Sequence, residues 1–248
     1  MGNKPIGQRI NPSLHELYLG RSKAFLIEAS DGSLILVDTG MPKKEKEIIS
    51  YINSIGKSVS DIKYILLTHA HIDHFGSAAS IKKLSNANLA INENGVHYIN
   101  GDGGLLLPVH KNLKSPKAKL QSSLIKIMSK FLRVQYVKPN MLLKEGVFPP
   151  EMKINAKILE TPGHTKDSIS VYLVDSNTVI VGDLLFGAPD KLRLPPFFDD
   201  YVSLLSSIKK IKDINPDLVC VSHGKNHNIS DLGIKRDCND YWINFSFP

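Results

Sequence analysis

Residues 68–76 read Thr68-His69-Ala70-His71-Ile72-Asp73-His74-Phe75-Gly76, and they follow directly on the apolar run 62–67. That run has the length and composition of a short buried strand, so the polar stretch that ends it is a turn at a strand end. On a turn, residues two apart can point to one side. His69 and His71 can therefore share one ion, and Asp73 and His74 can face a second ion beside it. Neutral imidazole and carboxylate are ligands that zinc, iron and manganese all accept. A set of three histidines leaves a tetrahedral site open, and an open position for water is what a catalytic metal requires.

The same grammar, an apolar strand ending in a short turn with a histidine or an aspartate, recurs three times. Residues 156–159 lead into Thr161-Pro162-Gly163-His164-Thr165, residues 178–181 end at Gly182-Asp183, and residues 217–221 end at Ser222-His223-Gly224. Functional groups in layered α/β folds collect on such loops because packed strands fix the loop bases. Five of the nine histidines sit at these ends, while His15, His97, His110 and His227 do not. His164 and His223 are candidates for the remaining nitrogen ligands, and the two oxygens of Asp183 suit a bridge between two ions.

Elsewhere the chain predicts strands at 16–19, 23–28 and 33–37, the last two forming a hairpin around Asp31-Gly32. Helices are predicted over 43–56, where Ile48, Ile49, Ile52 and Ile55 recur at helical spacing, over 77–85, and over 199–212. A short strand is expected at 89–91 and a hairpin over 168–174 and 178–181. Residues 101–140 break the pattern: a glycine-rich loop, a basic stretch at 111–119, then Leu120, Leu124, Ile127, Met128 and Phe131 at amphipathic spacing. They predict a helical insertion that packs on the core, covers the site or forms a dimer surface. The expected architecture is one domain spanning residues 1–248.

Composition sets bounds. Hydrophobic residues make up 42% and charged residues 22%, as in ordinary globular proteins. The start lacks a signal-peptide core, and no run approaches membrane-spanning length. Cys220 and Cys238 are too few for a disulfide framework in 248 residues. A reducing, cytoplasmic setting and no membrane partner are the expectation. Thirty-one basic against 24 acidic residues give a formal charge of +7, but the lysines are dispersed and KKEKE at 43–47 mixes signs. A small molecule rather than nucleic acid is the expected partner, with a homodimer open.

Taken in order, THAHIDHFG, TPGHT, VGDLLFG and VSHG resemble the metallo-β-lactamase superfamily, and VDTG at 37–40 resembles its early signature. The resemblance covers residues 14–224. It implies an α/β fold, a four-layer αββα sandwich of two mixed sheets, with metals along one edge. It implies that His69, His71 and His164 bind one metal, that Asp73, His74 and His223 bind another, and that Asp183 bridges them together with a hydroxide. Asp38 is implied as a residue that orients the ligands, and Asp73 as the side chain that holds or shuttles a proton. Two divalent ions are implied, with zinc expected and iron or manganese compatible.

The substrate is narrowed by departures from subfamily patterns. The commonest zinc β-lactamases use a cysteine where this chain has Asp183 and lack the histidine at His74, so β-lactams are not the expected substrate. The full ligand set resembles glyoxalase II, acyl-homoserine lactonases and tRNA 3′-end nucleases. The tail after His223 is too short for a glutathione-holding region. Leu184-Leu185-Phe186-Gly187 lacks the tyrosine that lactonases carry after the matching aspartate. The resulting expectation is hydrolysis of a small ester, thioester or lactone; Phe75, Leu184, Leu185 and Phe186, near the metal turns, suit an acyl-bearing substrate, although packing in the core is the more common role for such residues. A phosphodiesterase or nuclease of the same fold, or an iron-dependent persulfide oxygenase, are the alternatives.

Overall fold

A computed structural model describes residues 5–107, 123–125, 127 and 133–233. Two sheets face each other. The first contains seven strands in chain order: β1 (Gly7–Asn11), β2 (Leu14–Tyr18), β3 (Lys23–Glu28), β4 (Leu34–Val37), β5 (Ile62–Leu66), β6 (Asn88–Asn92) and β7 (Met141–Leu143). Its first four strands are antiparallel hairpin neighbours, and β4 to β7 run parallel. The second sheet contains β8 (Gly146–Val147), β9 (Ala156–Glu160), β10 (Ile169–Leu173), β11 (Thr178–Ile180) and β14 (Leu218–Cys220), with β14 parallel to β11. A small hairpin of β12 (Phe186–Gly187) and β13 (Leu192–Arg193) stands apart from both.

The two-residue period of the strands builds the layers. On β3 and β4, Phe25, Ile27, Ile35 and Val37 point inward and meet Ala156, Ile158, Val171 and Ile180 of the second sheet. Their neighbours Ala24, Leu26, Leu34 and Leu36 point outward onto Ile48 and Ile52 of α1 (Glu45–Ser54) and Ile81 of α3 (Ala78–Ser85). On the far side, Leu159, Val179, Val181, Val219 and Val221 pack against Leu204, Ile208 and Ile211 of α5 (Tyr201–Ile214). The order helix, sheet, sheet, helix is the four-layer sandwich that the sequence implies. Two single-turn helices, α2 (Ile72–Phe75) and α4 (Val96–Ile99), follow β5 and β6.

Boundaries shift modestly. The helix expected over 43–56 spans Glu45–Ser54, and the one expected over 199–212 spans Tyr201–Ile214, capped by Asp200, whose side chain accepts from Ser203 N at 2.6 Å. Strands β1, β7, β8, β12 and β13 were not expected. In the insertion, residues 123–125 and 127 are helical, whereas the basic stretch 111–119, His110 and most of the expected helix lie outside the described residues, as does the tail 234–248. Among the described residues no helix is long and apolar enough to cross a membrane.

Candidate metal centre

The histidines and aspartates at the four strand ends converge on one edge of the sandwich. Two groups have ligand atoms within 4.8 Å of one another: His69, His71, His164 and Asp183, and Asp73, His74 and His223. All seven side chains singled out from the sequence are thus brought together. Of the other four histidines, His15 bonds Tyr51 and Glu28, His97 lies against the Tyr98 ring, and His227 bonds the Ala188 carbonyl. The fourth, His110, lies outside the described residues.

Four of the five rings are oriented by their second nitrogen. His74 Nδ1 donates to Asp38 Oδ2 at 2.8 Å, His164 Nδ1 to the Phe197 carbonyl at 2.7 Å, and His223 Nδ1 to the Arg21 carbonyl at 2.8 Å. Asp38 also accepts from the Thr68 hydroxyl and the Thr68 N–H, both at 2.8 Å. The hydroxyl oxygen of Thr68 in turn accepts from His69 Nδ1 at 3.0 Å. One buried aspartate therefore sets the tautomer of two rings, which leaves Nε2 of His69 and of His74 as the free acceptors. The VDTG turn does more: Thr39 donates to the His74 carbonyl through both N–H and hydroxyl, at 2.7 and 2.9 Å.

In the first group, His69 Nε2 lies 3.0 Å from His71 Nδ1, which lies 3.1 Å from His164 Nε2. Burial, with help from the neighbouring imidazoles, holds His69 and His71 well below the ordinary histidine range and lowers His164 as well. Three neutral acceptors aimed at one point repel unless an electrophile sits between them. Nitrogens about 2.0–2.1 Å from a tetrahedral ion stand about 3.3 Å apart. The donor set fits a divalent metal.

In the second group the charges are balanced differently. Asp183 Oδ1 faces His74 Nε2 at 3.4 Å and His223 Nε2 at 3.3 Å, while its Oδ2 faces His164 Nε2 at 3.5 Å. Asp73 stands 3.5 Å from His223 and 3.9 Å from His74. Burial disfavours charge on His74, His223 and Asp183, yet Asp183, with Asp73 beside both rings and Asp38 behind His74, outweighs it and raises the two histidines, and these hold Asp183 well below the usual carboxylate range. His74 Nε2 and Asp183 Oδ1 are nonetheless buried without a hydrogen-bond partner. Two orphaned polar atoms facing each other in the interior are costly, and a cation between them removes the cost.

Phe75, Leu184 and Leu185 are wholly buried, so the core-packing reading holds for these three and they do not line a substrate site. Phe186 alone is partly open, its ring stacked on His223 at 4.6 Å and 22°. Beside the first group lies a cavity of about 380 Å³ lined by Glu93, His97, Tyr98, Lys166, Asp167 and Asp199, among others. It adjoins the metal turns. Asp199 N bonds the carbonyls of Gly163 and His164, and Leu106, also on its wall, bridges to His71. Asp167 is buried beneath it, and its Oδ2 has no hydrogen-bond partner. The sequence did not reveal Thr68, Arg21, Phe197 or Asp167. The first and last could have been noticed as polar residues inside or next to the motifs, whereas the other two act through backbone carbonyls that carry no side-chain signal.

Comparison with known proteins bears on the family and the fold. The family model of the metallo-beta-lactamase superfamily matches residues 17–223. The Bacillus subtilis protein YobT is 27% identical over 81% of this chain and 82% of its own length. The probable metallo-hydrolase YflN of the same organism is 24% identical over 77% and 75% of the two chains. Among solved structures, the metallo-beta-lactamase family protein TTHA1429 from Thermus thermophilus superposes with a TM-score of 0.64 at 20% identity, covering 90% of this chain and 78% of its own. A metallo-beta-lactamase from Pontibacter korlensis gives 0.65 at 17% identity over 91% and 94%. Fold, order of motifs and family match coincide, and the chain belongs to the metallo-beta-lactamase superfamily.

Proposed function

We propose that the protein is a hydrolase of small esters, thioesters or lactones that works with two divalent ions, zinc foremost, held by His69, His71 and His164 on one side and Asp73, His74 and His223 on the other. The observation that carries this reading is the division of Asp183, one oxygen toward His74 and His223 and the other toward His164. Bound ions of this kind supply Lewis acidity and water that ionises near neutral pH. The chain's own residues do the rest. Asp183 fixes the spacing of the two groups. Asp38, Thr68 and the carbonyls of Arg21 and Phe197 keep the imidazoles in the ligating tautomer. Asp73, partly open to solvent beside His223, is placed to take up and return a proton.

The preference for a small acyl substrate over a nucleic acid rests on the surroundings. Phe186 offers an apolar face at His223. The adjoining cavity has the size of a small-molecule site. Its wall bears Glu93, Asp167 and Asp199 against Lys166, a sign of charge that disfavours a polyphosphate backbone.

The deciding experiment is a panel on metal-loaded protein: a short acyl thioester, a homoserine lactone, a phosphodiester and a β-lactam, each with and without chelator. Thioester or lactone turnover that the chelator abolishes supports the proposal. Inertness to both, with cleavage of the phosphodiester or the β-lactam, overturns the substrate class. One iron per chain with oxygen consumption overturns the hydrolytic reading.

A further inference from the structure

Beneath the His223 turn lies a buried ionic network that the chemistry above does not use. Lys23 on β3 and Glu16 on β2 pair at 3.1 Å, and both side chains are almost wholly buried. Asn226 joins this pair to the turn. Its Oδ1 accepts from Lys23 Nζ at 2.6 Å and from Val221 N at 3.1 Å, and its Nδ2 donates to Glu16 Oε2 at 2.7 Å. The other Glu16 oxygen accepts from the Tyr18 hydroxyl at 2.5 Å and Gln8 Nε2 at 2.7 Å. The backbone makes the same connection: Lys23 N donates to the Ser222 carbonyl at 2.8 Å, and His223 Nδ1 to the Arg21 carbonyl at 2.8 Å.

A buried ion pair is a weak source of stability, since well-packed apolar residues of similar size often do as well. What such a network supplies is direction. His223 sits on a short turn after a three-residue strand, and the Arg21 carbonyl orients only its ring. The turn's backbone is held from behind by Lys23 and, through Asn226, by Glu16. These contacts reach across more than 200 residues of sequence to the N-terminal strands.

We propose that Asn226 is a positioning residue for the second metal: clamped between Lys23 and Glu16, it holds the 222–226 turn so that His223 Nε2 stays aimed at Asp73 and Asp183. This rests on the reading that His223 is a ligand of that metal. The test is a zinc titration against a chromophoric chelator, resolving the two binding steps. Asn226→Ala keeps the Lys23–Glu16 pair and is expected to weaken one step about 10- to 100-fold, the usual cost of losing an outer contact to a ligand, while the other changes less than about threefold. Asn226→Asp alone, which sets a like charge beside Glu16, stays impaired. Adding Glu16→Gln to it exchanges donor and acceptor and restores the weakened step to within a few-fold of wild type. Wild-type binding in Asn226→Ala, or equal weakening of both steps, overturns the proposal. His223→Ala separates this from the reading beneath it: if that variant binds two ions as tightly as wild type, the ligand assignment itself fails.

Discussion

The Asp38 carboxylate and the His74 imidazole meet at 2.8 Å with neither side chain exposed to solvent. Asp38 holds a left-handed backbone conformation, φ 62°, at the end of β4, an uncommon state for a residue other than glycine. That geometry turns its side chain toward Thr68 and His74, linking the turn after β4 to the turn after β5.

Asp38→Asn tests this link. The amide keeps one acceptor oxygen for three donors, so its NH2 group must face either the His74 Nδ1–H and the Thr68 hydroxyl or the Thr68 N–H. The expected outcome is a loss of activity of about 10- to 100-fold with reduced metal content and a retained fold. Metal analysis alongside circular dichroism checks it, and full metal content with full activity would remove Asp38 from the account.

Asp167 gives a pH-dependent test. Burial pushes its carboxyl from 3.8 up to about 6, the Thr165 hydroxyl and the Ala70 N–H only partly opposing. The native state therefore binds its proton more tightly than the unfolded chain does. Stability contributed by this group is full below about pH 4, falls as pH rises toward 6, and stays lost above. A shift of this size corresponds to about 2–3 kcal/mol. Asp167→Asn keeps the shape and removes the charge, so it is expected to stabilise the protein at pH 7 and to be neutral at pH 4. Denaturant unfolding at the two pH values measures this, and equal effects at both would contradict it.

Gly187 and Gly224 meet backbone to backbone. Gly187 N donates to the His223 carbonyl at 2.9 Å and Lys225 N to the Gly187 carbonyl at 3.1 Å. A β-carbon on Gly187 would overlap the Lys225 carbonyl. Gly187→Ala must therefore push the 223–225 turn away, with a cost of a few kcal/mol and a specific loss of metal at the His223 side. Thermal unfolding and metal content in parallel decide, and an unchanged second ion would show that the contact does not govern His223.

Much of this was legible in the sequence because the strongest signals are local. The apolar run before His69 and the two-residue period at Phe25–Ile27 and Ile35–Val37 announce buried strands, and the four strand-end turns place the seven candidate ligands. The rest is non-local or weak. Strand β1 pairs with β2 at the sheet edge and keeps polar, partly exposed residues, so it lacks an alternating pattern. The hairpin of β12 and β13 has two residues per strand, too short for any periodicity. Phe75, Leu184 and Leu185 border the motifs as Phe186 does, and only the direction of each turn decides that three enter the core and one stacks on His223. The clamp of Glu16, Lys23 and Asn226 joins residues that share no local pattern.

Whether Asp183 serves both metal groups is read from the number of zinc ions that each chain retains after loading and desalting. Wild type is expected to hold two and His223→Ala one, with Asp183→Ala losing tight binding at both groups and most activity. Two tightly held ions and full activity in Asp183→Ala, or a single ion in wild type that His223→Ala leaves unchanged, would show that Asp183 does not join two metal sites.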